Sequence, residues 1–418
     1  MHEKRGGLGF QMGKSACTAP DMHSRLTITE KSPESPYGQA RKVSEMEGST
    51  LTRRAFTHCL AAGLSTLIVK GRSSLLGAPS TSSNPGKEWD ISRTAEEAGF
   101  SGAKLRQIEQ TLYPMPTTAL LIVKSGKVVY KYGDVSQVSY LASARKSVAS
   151  MLYGKYVSNG TIDLDRTVGN LDIDEAGGLL PIEKRATVRH LLMASSGVYY
   201  PAGSPGGNET TPPRGSKNPG TYFLYNNWDF NVVGAIFEKL TGKTIFQALA
   251  EDLARPLEFQ DFDMSRQRML GYDRPNQSKY KAYHMFLSAR DMARLGLLMV
   301  NGGRWNGEQV IPANWVAEST KLHVRAAATG GESGYGYLWW LPSETHLEKE
   351  WVGSFEANGN YGQYILGMPA IDTVIVHRRA VTDEFAIARN EGRTTASPTA
   401  VSNADFLKIA DDIVAARI

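Results

Sequence analysis

The chain has 418 residues, of which 41% are hydrophobic and 21% are charged, a composition typical of globular proteins that bury a sizeable core. The formal net charge of +5 lies entirely in residues 1–88, which carry 12 Lys and Arg against 7 Asp and Glu, whereas the remainder carries 35 of each. Net charge therefore does not support a nucleic-acid-binding surface beyond residue 88, and we predict no nucleic-acid partner.

The N-terminal segment resembles a twin-arginine export signal. Thr52-Arg-Arg-Ala-Phe56 is followed by an apolar run over 60–69 and then by small residues. This run is about half of the ~20 residues that a membrane-spanning helix needs. We therefore predict that 1–88 is an extension, signal and linker, and that the protein is exported to the periplasm or beyond, without a stable membrane span after signal removal. The alternative is an amphipathic or disordered tail.

The sequence contains few residue patterns that could form a cofactor or metal site. Both cysteines, Cys17 and Cys59, lie in the predicted N-terminal segment, so residues 89–418 contain no disulfide, thiol nucleophile or cysteine-bound zinc. No His-Glu-x-x-His motif, carboxylate cluster or glycine-rich phosphate loop stands out. We predict that the protein uses neither a cofactor nor a metal.

The elements predicted after residue 88 place strands at both ends and helices in the middle. They are a helix at 101–113, a hairpin at 117–133, helical patterns over 143–300, three strand-like runs (GYGYLWWLP, GQYILGMP, DTVIVHRRA) and a final helix, NADFLKIADDIVAARI. The simplest α/β (α+β) architecture is a single domain, 89–418, with an antiparallel sheet made from both ends and flanked by terminal helices. A helical region is inserted at about 150–300, and a pocket is expected at the seam.

Ser-x-x-Lys, a motif that can place a nucleophile beside its base, occurs three times. Ser101 lies at a predicted helix N-cap and Ser278 lies in the polar stretch DRPNQSKYK, so both are interpreted as structural. Ser143 instead opens a helix with an apolar face, and Lys146 lies one turn along on the same face. There, the helix N-terminus and burial could lower the lysine pKa enough for it to take the serine proton. The alternative is that Ser143 is an N-cap and Lys146 points into solvent.

A second element, Tyr225-Asn-Asn227, precedes another predicted helix. At such a junction a phenol and an amide can point to one place, where the phenol of Tyr225 could relay a proton and the amide of Asn227 could bind a substrate carbonyl. Alone, the pattern is more typical of a packed tyrosine and a helix cap. Together with Ser143 and Lys146 it forms part of a catalytic constellation.

Over residues 95–415 the chain resembles the serine hydrolases related to class C β-lactamases and DD-peptidases. The motifs that carry the resemblance are SARKS, TVRHLLMASSGV, YNNWDFNVVGAIFEKLTGKT, SARDMARLGLLMVNGGRWNG, GYGYLWW and FEANGNYGQYILGMP, in this order. The resemblance implies that Ser143 is the acylated nucleophile, Lys146 its base partner, Tyr225 the proton shuttle and Asn227 a substrate-orienting amide. It also implies an oxyanion hole from the backbone N–H of Ser143 and one at Ala357.

One departure from the family pattern bears on the substrate. Where β-lactamases and DD-peptidases carry a basic residue that engages the substrate carboxylate, this chain has Phe355-Glu-Ala-Asn-Gly359. The segment is more similar to the esterase and oligomer-amidase branch, which includes nylon-oligomer hydrolases. Arg145, Arg378 or Arg379 could supply the missing anchor.

Two further residues are candidate substrate contacts. Tyr199, beside Tyr200, matches a loop where that branch places a substrate-contacting tyrosine, although a surface aromatic pair is the alternative. His284 is a candidate to face the pocket. We predict a serine hydrolase that acts through an acyl-enzyme on an ester or a small amide. The alternatives are DD-peptidase or β-lactamase activity, or a non-catalytic envelope module that binds ligands with the same fold.

Overall fold

A computed structural model describes residues 84–205 and 211–418. The predicted export signal, with Arg53 and Arg54, lies outside the described residues. At the start of the described chain, the Arg294 guanidinium donates hydrogen bonds to the carbonyl oxygens of Gly86 (2.9 Å) and Lys87 (2.8 Å). Residues 86–87 therefore contact the folded part of the protein directly.

The longer strands lie near both ends of the described domain and most helices lie between them, as predicted. The described helices are α1 Gly102–Leu112, α2 Arg145–Ser158, α3 Val188–Leu192, α4 Asn227–Thr241, α5 Ile245–Ala248, α6 Ala289–Val300, α7 Ala313–Ser319, α8 Ala326–Thr329, α9 Asp383–Asn390 and α10 Asn403–Ala415. The described strands are β1 Ala119–Lys124, β2 Lys127–Gly133, β3 Ser139–Tyr140, β4 Arg268–Leu270, β5 Ala282–His284, β6 Phe286–Leu287, β7 Arg304–Trp305, β8 Glu308–Gln309, β9 Gly334–Tyr335, β10 Trp340–Leu341, β11 Phe355–Gly359, β12 Gln363–Met368 and β13 Thr373–Arg378. None of these helices is both long and apolar enough to cross a membrane.

A seven-stranded sheet with the order β2-β1-β13-β12-β11-β10-β9 forms the centre of the fold. Every pairing between its seven strands is antiparallel, and β1 pairs with β13, so the two ends of the domain meet within the sheet. The β1–β2 hairpin turns at Ser125 (φ 51°) and Gly126 (φ 80°). Two left-handed residues in succession give the turn whose twist matches that of the flanking strands. The predicted sheet and hairpin are confirmed.

The two faces of the sheet bury different helices, because successive side chains of a strand point to opposite sides. On one face, Leu120 and Ile122 of β1 pack with apolar residues of α1 and α10. On the other face, Leu121 and Val123 join a larger core with α2, α4 and α6. Helix α6 approaches the sheet closely at Gly296, where a Cβ would lie 2.9 Å from the Ile365 Cγ2 atom. Three layers result, and the predicted α/β fold class is confirmed.

The inserted region between β2 and β9 carries helices α2 to α8, as predicted, but much of it is irregular and it also contains short strand pairs. β3 pairs with β6 and β4 pairs with β5, in ladders of two and three residues. Such short pairs carry too little sequence periodicity to be predicted. They hold the segment before Ser143 beside β5 and β6, at the seam between the sheet and the inserted region.

Candidate active site

Ser143 lies in a single 3₁₀ turn, Ala142–Ala144, immediately before α2. Ala142 has a φ of 49°, in the left-handed region that residues with a Cβ rarely adopt, so surrounding contacts must hold this turn. One such contact is the hydrogen bond from the Arg145 guanidinium to the Ala142 carbonyl, 3.1 Å. Another is Gly359 at the end of β11, where a Cβ would meet the Leu141 carbonyl oxygen and lie 2.9 Å from the Ala144 nitrogen. The close approach of this strand end requires a glycine.

Lys146 points into the protein, with 1% of its surface exposed. Its Nζ lies 3.1 Å from the Ser143 Oγ atom. The same Nζ donates hydrogen bonds to the Tyr225 hydroxyl (2.9 Å) and to the Asn227 Oδ1 atom (3.0 Å). The alternative that Lys146 extends into solvent is therefore wrong. The structure brings four of the predicted site residues together around one nitrogen.

The surroundings of Lys146 favour its neutral form. Burial, and then the positive charge of Arg145, hold the pKa of Lys146 well below its ordinary value of 10.5. A neutral amine has two N–H groups and one lone pair, which match Tyr225, Asn227 and the Ser143 hydroxyl proton. After taking that proton, the ammonium can donate to the same three oxygens. Lys146 can therefore change protonation state without losing a partner.

Tyr225 is held by aromatic packing just before α4. Its ring lies 4.7 Å from that of Phe230 and 5.4 Å, stacked, from that of Trp340, measured between centroids. Burial raises the pKa of Tyr225 to about 12. The phenol is therefore protonated near neutral pH, where it can give up a proton only if another group replaces it at once.

Asn227 is fixed by the start of α4. The preceding Asn226 caps the helix, because its side chain accepts a hydrogen bond from the Trp228 backbone N–H (3.0 Å). The Asn227 Nδ2 atom donates to the Pro205 carbonyl, 2.9 Å, which directs Oδ1 towards Lys146. The junction thus places both Tyr225 and Asn227 beside the lysine.

A cleft opens at Ser143. Its lining comprises Tyr140, Ala142, Ser143, Arg145, Ser204, Pro205, Asn227, His284, Asn360, Tyr361, Arg389 and Asn390. The predicted candidate His284 faces this cleft. Ala357 and Tyr199 are not among the lining residues, whereas Asn360, just beyond β11, is. Both tyrosines of the pair at 199–200 are buried, at 5% and 6% exposure, so they are not a surface pair.

Of the arginines considered as anchors, only Arg145 lines the cleft. Arg378 is buried, and its guanidinium donates to the carbonyl oxygens of Leu287 (2.9 Å) and Tyr140 (3.3 Å). Arg379 donates to the carbonyl of Ala380. Arg389 of α9 also lines the cleft, and no sequence motif surrounds this residue. In residues 84–205 and 211–418, no three His, Cys, Asp or Glu side chains are grouped so that they could hold a metal ion.

Comparison with known proteins identifies a family that matches most of the domain. The Beta-lactamase family model matches residues 105–380, more than half of the chain. The 6-aminohexanoate-dimer hydrolase of Paenarthrobacter ureafaciens is 24% identical over 309 residues, which cover 65% of this chain and 75% of that enzyme.

Among solved structures, a family VIII carboxylesterase aligns with a TM-score of 0.54 at 14% identity and covers 79% of this chain and 99% of its own. A penicillin-binding protein homologue from Caulobacter crescentus aligns with a TM-score of 0.53 at 16% identity, over 73% and 99% of the two chains. At these identities the structural matches show the fold alone. The match to the family model is the stronger result, and by it the chain belongs to the beta-lactamase family, a hydrolase family that includes esterases and amidases.

Proposed function

We propose that the protein is a serine hydrolase that cleaves an ester or a small amide through an acyl-enzyme on Ser143. The observation that carries the proposal is the buried Lys146 amine, placed 3.1 Å from the Ser143 hydroxyl and bonded to Tyr225 and Asn227. A nucleophile and a base within hydrogen-bond reach, with the base oriented by further groups, is the arrangement that nucleophilic catalysis requires.

Acylation begins when the neutral Lys146 amine takes the Ser143 proton while the Oγ atom attacks the substrate carbonyl carbon. The backbone N–H of Ser143, with a second N–H from the end of β11, stabilises the oxyanion of the tetrahedral intermediate. As the carbon–oxygen or carbon–nitrogen bond breaks, the Tyr225 phenol protonates the leaving group and is reprotonated by the Lys146 ammonium. Water then attacks the acyl-enzyme and gives its proton to Tyr225, whose own proton passes to Lys146. The Lys146 ammonium returns a proton to the departing Ser143 Oγ atom, which releases the acid and the free serine.

Two considerations favour an ester or a small amide over a β-lactam. The strand β11 carries no basic residue to engage a β-lactam carboxylate, because its sequence is Phe355-Glu-Ala-Asn-Gly359. The curated relative named above is a hydrolase of the 6-aminohexanoate dimer, which is an amide. We therefore expect faster hydrolysis of simple esters than of penicillins.

The central test compares Ser143→Ala with Ser101→Ala on p-nitrophenyl butyrate. Both variants remove the serine of a Ser-x-x-Lys motif, but only the first removes the proposed nucleophile. We expect Ser143→Ala to lose hydrolysis down to background, whereas Ser101→Ala retains it. Equal hydrolysis by wild type and Ser143→Ala would refute the assignment.

Labelling with a fluorophosphonate followed by peptide mapping provides an independent test. We expect a single adduct on Ser143, and an adduct on any other serine would contradict the mechanism. Parallel assays with a chromogenic cephalosporin and a D-alanyl peptide distinguish the β-lactamase and DD-peptidase alternatives. Labelling of Ser143 without turnover of any ester, amide, peptide or β-lactam would instead support the ligand-binding module.

A further inference from the structure

The cleft beside Ser143 carries an uneven distribution of charge. Among residues 84–205 and 211–418, its lining includes two arginines, Arg145 and Arg389, and no aspartate or glutamate. Arg145 uses one of its donors on the Ala142 carbonyl, whereas its Nε atom is buried without a hydrogen-bond partner among the described residues. The described part of the lining is therefore electropositive, and it favours an anionic group on a ligand that binds beside these arginines.

Arg389 has a guanidinium that is available to a ligand. It is half-buried on α9, and within residues 84–205 and 211–418 its side chain makes no hydrogen bond or ion pair. Nearby carboxylates have other partners: Asp383 accepts two hydrogen bonds from Arg266, both 2.8 Å, and Glu391 accepts one from Arg393, also 2.8 Å. An unpaired guanidinium in a cleft can bind a carboxylate through two parallel hydrogen bonds.

His284 supplies a second, independent indication of a ligand. The side chain is 1% exposed and lines the cleft, yet neither ring nitrogen has a hydrogen-bond partner in the described part of the chain. Burying an unsatisfied polar group costs free energy, so such groups normally have a partner. Burial holds the pKa of His284 well below its usual value, and the imidazole is therefore neutral, with one N–H to donate and one nitrogen to accept.

We propose that Arg389 and His284 form a carboxylate subsite, so that the substrate of Ser143 is a small ester or amide that also carries a carboxylate. This inference rests on the proposed function and narrows its substrate class. Arg389 donates to the carboxylate, and the His284 N–H donates to it or to an adjacent polar atom. The arginine of this subsite comes from α9 and not from β11, so it would bind a carboxylate from a different element than the strand base of β-lactamases and DD-peptidases.

Two matched pairs of chromogenic esters test the subsite on either side of the scissile bond. In the first pair, mono-p-nitrophenyl glutarate is compared with p-nitrophenyl pentanoate, so the added carboxylate lies on the acyl side. In the second pair, 3-carboxy-4-nitrophenyl butyrate is compared with p-nitrophenyl butyrate, so the added carboxylate lies on the leaving group. In one pair we expect the charged ester to have the higher kcat/KM. Arg389→Met should lower that charged-to-neutral ratio by about tenfold to a hundredfold, the range for a charge-assisted hydrogen bond, and Arg389→Lys should lower it less.

Arg393→Met is the matched control, because Arg393 lies on the same segment but is exposed and outside the cleft, and it should leave the ratio unchanged. A ratio that Arg389→Met does not alter, or the absence of any preference for a charged ester, would overturn the subsite. Neither result bears on Ser143, whose role is judged separately by Ser143→Ala on the neutral ester.

Protection from labelling gives a readout that does not need turnover. Glutarate should slow the fluorophosphonate labelling of Ser143 in wild type more than pentanamide does, and Arg389→Met should remove that difference. Equal protection by glutarate in wild type and in Arg389→Met would contradict the proposal even if none of the four esters is hydrolysed.

Discussion

The chain uses the same Ser-x-x-Lys spacing in two regions with opposite outcomes. At α1, Ser101 caps the helix by accepting the Lys104 backbone N–H at 3.4 Å, and the exposed Lys104 side chain donates to the Ala415 carbonyl at 2.8 Å. At α2, the Lys146 side chain is buried against the Ser143 hydroxyl. The spacing decides only that the two residues share a face of a turn. Burial decides whether the lysine can act as a base.

The difference arises from where the two helices lie. Helix α1 packs on the outer face of the sheet against α10, so its first turn remains at the surface. Helix α2 lies in the larger core, and every residue from Arg145 to Gly154 is buried. The partners of Lys146 come from the start of α4, about 80 residues further along the chain. A short motif therefore becomes a reactive site only where distant segments enclose it.

Replacing each lysine in turn should give the largest contrast between the two regions. Lys146→Met keeps an unbranched apolar side chain beside the Tyr225 and Phe230 rings, whose centroids lie 4.1 Å from Nζ, but it removes the base. We expect kcat/KM for p-nitrophenyl butyrate to fall by about 10²-fold to 10⁴-fold, the usual contribution of general base catalysis.

Lys104→Met is the matched control and should keep wild-type kcat/KM, since its side chain is exposed at α1. Thermal unfolding of both variants checks that each remains folded. A Lys146→Met enzyme that is folded and retains more than about a tenth of wild-type activity would show that another group is the base.

Placing a negative charge beside Lys146 should shift the pH dependence of kcat/KM. Activity requires neutral Lys146, so hydrolysis falls as pH drops below the pKa of Lys146, which burial has lowered. Asn227→Asp places a carboxylate where Oδ1 lies 3.0 Å from Nζ, and it stabilises the ammonium. We expect the acidic limb of kcat/KM against pH to move up by about one to three pH units, with activity recovering at higher pH. An unmoved limb would contradict Lys146 as the titrating base.

The sequence predicted those parts of the molecule that local patterns determine. Helix α1, the Ser125-Gly126 turn and helix α4 all lie where the sequence predicts them. In each case the local signals, whether a cap residue, a turn residue or the spacing of apolar residues, favour the same structure. The cluster of Ser143, Lys146, Tyr225 and Asn227 was predicted from motifs together with the family resemblance, and the structure brings the four together.

Arg389 and Asn360 could not be predicted from the sequence. Arg389 lies in the ordinary helical sequence DEFAIARN, and only the path of the chain after β13 brings it to the cleft. The position of the β11 end relative to the Ser143 turn likewise depends on strand pairing across the sheet. The roles assigned to Ala357 and Tyr199 remain predictions.

Gly359 tests how tightly the Ser143 turn must be enclosed. In Gly359→Ala the new Cβ would meet the Leu141 carbonyl oxygen and lie 2.9 Å from the Ala144 nitrogen, so the turn or the strand must move. Overpacking of this kind costs about 1–3 kcal/mol, and we expect kcat/KM to fall by about tenfold. Gly331→Ala is the control, because the Cβ there would lie 3.6 Å, an ordinary contact distance, from the Thr329 Oγ1 atom. Equal activity of both variants would show that the strand end tolerates displacement.

Ser101→Ala should produce the smallest change and completes the comparison from the structural side. It removes the side-chain acceptor for the Lys104 N–H, and loss of a serine N-cap costs about 0.5–2 kcal/mol of stability. We therefore expect chemical denaturation to show a lower midpoint with an unchanged slope, while kcat/KM and fluorophosphonate labelling stay at wild-type values. The reverse pattern, with stability intact and labelling reduced, would mean that α1 contributes to the reaction. The expected result would show that Ser101 of the first Ser-x-x-Lys motif acts as a helix cap, and that the nucleophile belongs to the buried motif at Ser143 and Lys146.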